Sequence, residues 1–357
     1  YPKSMDSKRL MIRYAEDGGL AKDGVVEIRR GVKDLSLGES NYAQVRILVD
    51  NDHYIKGMAV YSDGSDMPEG VDVIFNTNKD KSVPKLDVLK STKDNLKKDP
   101  KNPFGSAIKE GIGSKGGQSY YLDENGKPQL SLINKRADEG DWDKWSKELP
   151  SQFLAKQPVS LIKRQLSLAE VGKESEYEQI DKISNPLLKQ QTLNEFASKC
   201  DKAAIDLKAA NLPNQKYQVI LPLSTIKDNE IYAPNYEDGS EVILVRFPHG
   251  GTYEIPRLKV NNRNEEGNKV ITPNALDAVG ISHNTAAVLS GADFDGDTVM
   301  VIPVNGKFRV STKDPLPGLK GFDPTMSYGP DSHTTDKDGV EHYYRNGIEY
   351  KHITKQE

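Results

Sequence analysis

Three aspartates occupy every second position of one short segment, Asp293, Asp295 and Asp297, directly before an apolar run. Gly296 permits a tight backbone there, and Phe294 can point the opposite way, into a core. Carboxylates that converge on one point repel one another strongly unless a cation joins them. A hard divalent ion with oxygen ligands is the usual solution. The segment therefore predicts a Mg²⁺ site, with Mn²⁺ as a substitute, of the kind that serves in-line nucleotidyl transfer.

Two other interpretations of this segment remain open. Asp-x-Asp-Gly-Asp is also typical of the start of a calcium-binding loop, but an EF-hand needs a carboxylate eleven positions after its first ligand, where this chain has Val304. The run that follows is strand-like rather than helical, which also disfavours an EF-hand. A merely acidic turn is the second alternative. Average residue frequencies give the string Asp-Phe-Asp-Gly-Asp about once in several thousand chains of this length.

Composition excludes several classes of protein. The 357 residues include 49 Lys plus Arg and 53 Asp plus Glu, for a net charge of -4, which argues against a protein that coats nucleic acid. No apolar run approaches the roughly 18 residues of a membrane span, so we expect no membrane partner. A single cysteine, Cys200, excludes a disulfide framework and a Cys-based zinc site. We expect a cytoplasmic protein, and the start at Tyr1 rather than Met favours a fragment or a processed product.

The patterning predicts two β-rich zones on either side of a helical zone. Short alternating apolar runs mark the strands, and Asp123-Glu124-Asn125-Gly126 predicts a hairpin turn. In the helical zone, an apolar stripe recurs at spacings of three and four, formed by Leu193, Phe196, Cys200, Ala203 and Leu207. Cys200 lies on this stripe and is expected to be a core residue. The Lys-rich stretch from Lys85 to Lys101 is predicted to be a solvated loop or, as the alternative, a rim that binds a nucleic-acid strand.

The segment Ala292-Asp293-Phe294-Asp295-Gly296-Asp297 resembles the metal-binding signature of the two-barrel RNA polymerase family. This family includes the largest (β′) subunit of multisubunit RNA polymerases, the single-chain polymerases of some prophages and the RNA-dependent RNA polymerases of RNA silencing. Its members carry the three aspartates on a loop of a double-psi β-barrel. The resemblance implies that Asp293, Asp295 and Asp297 are metal-binding and catalytic residues.

Two further segments are similar to the same family. An apolar strand followed by Arg246-Phe247-Pro248 resembles the family's Arg-x-Pro, which implies that Arg246 binds the incoming nucleotide. The segment Ile55-Lys56-Gly57-Met58, followed by an acidic Met-Pro loop and a strand that ends in Asn76, resembles the β-subunit barrel. That match implies that Lys56 is a catalytic residue that reaches the nucleotide phosphates. The order of the two matches along the chain is the one that the family shows.

The sequence departs from the family pattern at one cationic position. The family has a second lysine eight residues before the first, where this chain has Leu48. Arg46 is on the same strand face and is our candidate for the missing substrate-binding cation. The distance between Arg246 and Asp293 is longer than usual, which predicts an insertion near 261–267. The glycine-rich entrance and the bridge helix of the large enzymes are not evident.

We therefore expect an α+β protein with two double-psi β-barrels joined by a mainly helical connector. The expected domains are a first barrel region with its basic loop (1–117) and a hairpin and helical connector (118–212). They are followed by a second barrel that carries the three aspartates (213–306) and an irregular extension (307–357). The expected function is Mg²⁺-dependent, template-directed RNA synthesis from NTPs on a DNA or RNA template. The alternative is an inactive barrel protein of a phage or mobile element that binds nucleic acid or a polymerase partner. A bacterial host, and a further chain or subunit beyond this one, are part of the same expectation.

Overall fold

A computed structural model describes most of the chain. The described residues are 2–98, 104, 116–136, 159–205, 216–246, 255–289, 291–304, 312, 332–335 and 341–350. The chain forms two compact units, Tyr1–Lys313 and Asp314–Glu357. The larger unit contains two sheets and a helical hairpin, and the smaller unit contains a third sheet.

The first sheet is built from the amino-terminal part of the chain. Its strands are β1 (Leu10–Arg13), β2 (Val25–Arg29), β3 (Tyr42–Val49), β4 (His53–Ser62), β5 (Val73–Asn76), β6 (Lys90–Ser91), β7 (Gly116–Leu122) and β8 (Pro128–Arg136). The order is β1-β5-β2-β4-β3-β8-β7, and β6 pairs with β4. β1 and β5 are parallel, as are β2 and β4, whereas the neighbouring pairs are antiparallel. Helix α1 (Thr92–Lys98) follows β6.

This sheet curls into a nearly closed barrel. Met5, which precedes β1, forms a parallel bridge with Val49 at the end of β3. The Met5 N–H donates to the carbonyl of Leu48 at 2.8 Å, and the Asp50 N–H donates to the carbonyl of Met5 at 3.0 Å. The chain before β1 therefore returns to β3. A short 3₁₀ helix precedes β1 at Ser7–Arg9, and others connect the later strands at Ala15–Asp17, Gly19–Lys22, Lys33–Leu35 and Lys85–Val88.

The predicted helical zone contains two antiparallel helices among the described residues, α2 (Val159–Asp181) and α3 (Pro186–Ile205). Asn185 accepts hydrogen bonds from the backbone N–H groups of Leu187 and Leu188, so it caps the amino terminus of α3. Phe196 of the predicted apolar stripe packs against Tyr177 of α2, with ring centroids 6.0 Å apart. Cys200 is half-buried. Leu207 lies outside the described residues.

The second sheet follows the helices. Its strands are β9 (Lys216–Pro222), β10 (Glu230–Ile231), β11 (Glu241–Val245), β12 (Arg257–Val260), β13 (Ala278–Ile281) and β14 (Thr298–Val304). They have the order β10-β12-β11-β14-β9-β13. An antiparallel bridge between Tyr232 and Gly280 joins the two ends of this order, with hydrogen bonds of 2.9 Å in both directions. The sheet therefore closes into a six-stranded barrel. Two short helices lie between its strands, α4 (Glu265–Val270) and α5 (His283–Ala287).

One hydrophobic core connects the two barrels. The core of the second barrel includes Val25, Met58 and Val60 from the first barrel, all of them buried. The first barrel also has a core of its own, which includes Val26, Ile47 and other buried strand residues. The expected α+β fold, in which two β-barrels are separated along the chain by helices, is confirmed. Each barrel contains two parallel strand pairs among antiparallel ones, as a double-psi barrel requires.

The expectation of an irregular carboxyl-terminal extension is wrong in part. The smaller unit contains a three-stranded antiparallel sheet, with β15 (Ser332–Thr335), β16 (Glu341–Arg345) and β17 (Ile348–Tyr350). Arg345 pairs with Ile348 across a two-residue turn, in which Asn346 and Gly347 have φ angles of 51° and 75°. Asn-Gly is the favoured sequence for such a turn, because both positions need positive φ. Among the described helices, none is both long enough and apolar enough to span a bilayer.

Candidate metal and nucleotide site

The three predicted aspartates meet in the loop between α5 and β14. One carboxylate oxygen from each of Asp293, Asp295 and Asp297 lies within 4.8 Å of the others. Phe294 points away from this cluster into the shared core and is 1% exposed, which confirms its predicted role as an anchor. The loop also folds on itself, because the Asp293 N–H donates to Oδ2 of Asp297 at 3.0 Å. The alternation of carboxylate and buried side chain therefore places all three oxygens on one side of the loop.

The three carboxylates differ in their tendency to ionise. Burial, together with the charges of Asp295 and Asp297, raises the pKa of Asp293 to about 8. Burial also raises the pKa of Asp297, although Arg246 opposes the shift. Burial acts in the same direction on Asp295, but the charges of Lys56 and Arg46, together with the hydrogen bonds of Asp295 to Lys56 and Asp293, outweigh it and hold the pKa of Asp295 below its usual value. The cluster thus holds more negative charge than its surroundings favour, and a divalent cation with oxygen ligands fits that donor set.

Two predicted cations contact the carboxylates directly. Lys56 Nζ lies 2.9 Å from Oδ2 of Asp295, and the Arg246 guanidinium donates to Oδ2 of Asp297 at 2.8 Å. Lys56 comes from β4 of the first barrel, whereas Arg246 directly follows β11 of the second. Pro248, the other residue of the Arg-x-Pro match, lies outside the described residues. The site therefore contains positive groups from both barrels.

Arg46 lies beside Lys56. The two residues are directly opposite each other in the antiparallel ladder of β3 and β4, so their side chains share one face. Arg46 is 4% exposed, and its charge contributes to the lowered pKa of Asp295. The structure thus places all six predicted site residues around one loop.

Leu48, at the position of the second family lysine, belongs to a different environment. It faces Tyr54 across the same ladder and is 1% exposed. Leu48, Tyr54 and Phe104 form a small apolar cluster, in which the two rings meet edge to face at 5.2 Å. A lysine at position 48 would have to bury its charge in this apolar cluster. In this chain the second cation beside Lys56 is therefore Arg46.

Asp23 and Gly24, to which no sequence pattern pointed, also lie against the loop 291–297 that carries the three aspartates, called the metal loop below. The carbonyl of Asp23 accepts the Phe294 N–H at 3.0 Å, and its carboxylate accepts the Asn78 N–H at 3.1 Å. Burial raises the pKa of Asp23 to about 6, and the charge of Asp295 adds to the shift. Gly24 has a φ of 91°, and a Cβ there would lie 2.7 Å from the backbone N of Asp295. An Asp-Gly pair before a strand is a general turn signal, which does not distinguish a site residue.

Gly57 and Gly296 permit two further close approaches. A Cβ on Gly57 would lie 2.2 Å from the carbonyl oxygen of Gly24, which also accepts the Met58 N–H at 3.0 Å. A Cβ on Gly296 would lie 2.5 Å from the amide nitrogen of Gln44. The Lys-Gly pair of the sequence match therefore has a physical reason, because Gly57 lets the Gly24 turn reach the metal loop.

The segment predicted to be an insertion, 261–267, packs on the second barrel. Asn264 caps α4 by accepting the Gly267 N–H at 2.8 Å, and Gly267 lies against the ring of Tyr232. His283 is half-buried in the first turn of α5. These contacts stabilise the barrel, and they are separate from those of the aspartate loop.

Three described lysines of the basic stretch contact other groups of the first barrel region. Lys93 pairs with Asp52 at 3.0 Å, and Lys85 donates to the carbonyl of Ser7 at 2.5 Å. Lys97 lies 3.9 Å from Asp94 within α1. Lys101 lies outside the described residues. Binding of a nucleic-acid strand by this stretch stays a prediction.

The chain is distantly similar to a solved polymerase structure. The RNA dependent RNA polymerase QDE-1 from Thielavia terrestris matches with a TM-score of 0.43 and 12% sequence identity, over 90% of this chain and 38% of that chain. No protein family matches the sequence. No curated protein matches it either. The chain spans less than two fifths of the length of the QDE-1 polymerase. A structural likeness at this level carries no argument about residues or activity.

Proposed function

We propose that this chain is a metal-dependent nucleotidyltransferase that carries out template-directed synthesis of RNA from NTPs. The observation that carries the proposal is the convergence of three carboxylates with Lys56, Arg46 and Arg246 on one loop. Carboxylates with adjacent cations from different elements are the groups that a metal-bound triphosphate requires. The motif resemblance to two-barrel polymerases points to the same chemistry.

Asp293, Asp295 and Asp297 are the residues that would hold Mg²⁺. When bound, the ion would activate the 3′-hydroxyl of the growing RNA strand and neutralise charge on the transferred phosphoryl group. Asp293 must lose its proton before it can ligate, because its pKa is raised to about 8. Arg246 donates to Asp297 and thereby helps to fix the orientation of that carboxylate.

Lys56 and Arg46 would neutralise the triphosphate. They are opposite each other on two paired strands, so they present two positive charges on a rigid surface next to Asp295. Such fixed positive charges stabilise the developing negative charge of a phosphoryl-transfer transition state. Arg246 would bind the sugar or a phosphate of the incoming nucleotide, because its guanidinium presents several donors in one plane.

The direct test is incorporation of labelled NTPs on single-stranded DNA and RNA templates, with Mg²⁺ or Mn²⁺. We expect Asp295→Ala to lower incorporation by about 1000-fold or more, since it removes a ligand at the centre of the cluster. Asp63→Ala removes an exposed aspartate that is not part of the carboxylate cluster and is the matched control. Full incorporation by a folded Asp295→Ala variant would contradict the assignment.

A second candidate is a noncatalytic barrel protein that binds nucleic acid or a polymerase partner. The favouring observation is that Lys56 and Arg246 already pair with Asp295 and Asp297, which offsets much of the negative charge of the cluster. This candidate predicts nucleic-acid binding that does not change with Mg²⁺ or NTP. A stabilising calcium loop would instead give a thermal shift with Ca²⁺ and no nucleotide dependence.

A further inference from the structure

One face of strand β3 runs along the metal loop of the other barrel. Alternate residues of a strand share a face, and on this face Tyr42, Gln44 and Arg46 follow one another. The Tyr42 hydroxyl donates to a carboxylate oxygen of Asp277, and Gln44 Nε2 donates to the backbone carbonyl of Asp295 at 3.3 Å. β3 therefore contacts the second barrel at two places, at Asp277 directly before β13 and at the metal loop.

Gln44 also fills the space beside the loop backbone. A Cβ on Gly296 would lie 2.5 Å from Nε2, 2.8 Å from Cδ and 3.2 Å from Cγ of Gln44. Gly296 has a φ of 122°, a conformation that side chains rarely adopt. The amide of Gln44 thus lies against the peptide segment that separates the second metal-binding aspartate from the third.

The first barrel also contacts the loop through a second element. The Asp23 carbonyl accepts the Phe294 N–H at 3.0 Å, and Gly24 lies against the backbone of Asp295. The backbone from Phe294 to Gly296 is therefore bounded by the Asp23–Gly24 turn and by Gln44. Both groups belong to the first barrel, although all three carboxylates belong to the second.

We propose that Gln44 is a positioning residue, which sets the geometry of the metal-binding carboxylates by holding the backbone of Asp295 and Gly296. This inference rests on the proposed function, because it assumes that the loop binds a divalent metal. Gln44 donates to a backbone carbonyl next to the carboxylates, so it acts on the metal through the loop. Partners that hydrogen-bond to the ligating groups themselves change metal affinity by about 10- to 100-fold when they are replaced, and we expect a contact with the ligand backbone to give the lower end of that range.

The test is the Mn²⁺ affinity of the full chain, measured from the electron paramagnetic resonance signal of free Mn²⁺. Gln44→Ala removes both the donor and the packing, and Gln44→Met removes the donor but keeps a similar volume. We expect both variants to weaken Mn²⁺ binding by about 10-fold or more. Gln44→Met provides the comparison if Gln44→Ala loses stability, and circular dichroism verifies the fold of each variant.

Tyr42→Phe is the matched control on the same strand face. It removes the hydrogen bond to Asp277 but leaves the metal loop untouched. We expect it to lower the melting temperature while Mn²⁺ affinity stays within about twofold of the unmodified chain. An equal loss of affinity in Tyr42→Phe would overturn the proposal, because any weakening of the contact between the barrels would then have the same effect.

Two other results separate this inference from the proposed function. If the unmodified chain binds Mn²⁺, Asp295→Ala abolishes that binding and both Gln44 variants bind normally, Gln44 has no positioning role and the metal site stands. If the unmodified chain and Asp295→Ala bind Mn²⁺ equally, the metal site itself is wrong, and the inference fails with it. A loss of affinity in Gln44→Ala but not in Gln44→Met would overturn the role of the amide donor.

Discussion

The two barrels contribute to the site in different ways. The first barrel places Arg46 and Lys56 opposite each other on a regular two-stranded ladder, whose hydrogen bonds hold both residues. The second barrel places its carboxylates on the loop 291–297, outside any strand. A loop depends on contacts from outside for its conformation, and here the first barrel provides several of them. The first barrel thus supplies two of the three cations and several contacts to the loop, whereas the loop of the second barrel supplies the proposed metal ligands.

Replacement of the ladder cations should separate catalysis from metal binding. We expect Lys56→Met to lower kcat/KM for NTP by about 100-fold, because one charge that stabilises the triphosphate is lost. Mn²⁺ affinity should not fall, since Lys56 competes with a metal for Asp295. Steady-state incorporation and Mn²⁺ titration of the same preparation measure the two effects.

Lys33→Met is the control for this experiment, because Lys33 is exposed on the first barrel. Lys33→Met should change neither kcat/KM for NTP nor Mn²⁺ affinity. If Lys56→Met lost Mn²⁺ binding as completely as Asp295→Ala does, the division of roles between the Arg46–Lys56 ladder and the aspartate loop would be wrong.

The glycine contacts test whether the first barrel supports the loop. Gly57→Ala would push a Cβ against the carbonyl of Gly24, and we expect it to lower the free energy of unfolding by about 1–3 kcal/mol. Mn²⁺ affinity should fall as well, because the Gly24 turn contacts Asp295. Urea denaturation and Mn²⁺ titration measure the two effects.

Gly172→Ala is the matched control, since Gly172 lies within α2 and a Cβ there meets nothing within 4 Å. It should raise the free energy of unfolding by about 0.5–1 kcal/mol and leave Mn²⁺ affinity unchanged. Normal metal binding by a destabilised Gly57→Ala variant would show that the support does not extend to the metal ligands.

A pH dependence is predicted for the second barrel. Asp293 has a pKa raised to about 8, so the folded, metal-free protein keeps a proton that the unfolded chain loses near pH 4. Stability should therefore decrease as the pH rises from about 4 to about 8. Mn²⁺ affinity should increase over the same range and level off above about pH 8, because ligation requires the carboxylate; the slope approaches about tenfold per pH unit for one proton.

Asp295→Asn sharpens this prediction. It removes a charge that raises the pKa of Asp293, so melting curves from pH 5 to pH 9 should show a weaker decrease than those of the unmodified chain. An identical pH profile would mean that the charge of Asp295 does not raise the pKa of Asp293.

Several parts of the fold could be predicted from short-range signals. The turn residues Asp123 to Gly126 connect β7 and β8 as expected, and Phe294 is buried as its alternation with the aspartates predicts. The sheet of the smaller unit was missed even though Asn346-Gly347 is a favoured turn sequence. Its strands carry polar residues such as Glu341, so the alternation of apolar and polar side chains that identifies a strand is absent.

The spacing of Asp293, Asp295 and Asp297, and their alternation with Phe294 and Gly296, could be read from the amino-acid sequence, because alternation of side chains is a local property of the chain. The contacts of the first barrel with a loop some 240 residues later depend on the tertiary structure. They place Arg46 and Lys56 beside the aspartates, and Gln44 and Gly24 against the loop backbone. The physical reason is the apolar core that the two barrels share. Docking through buried side chains brings distant polar residues together, and no local spacing in the chain records which of them will meet.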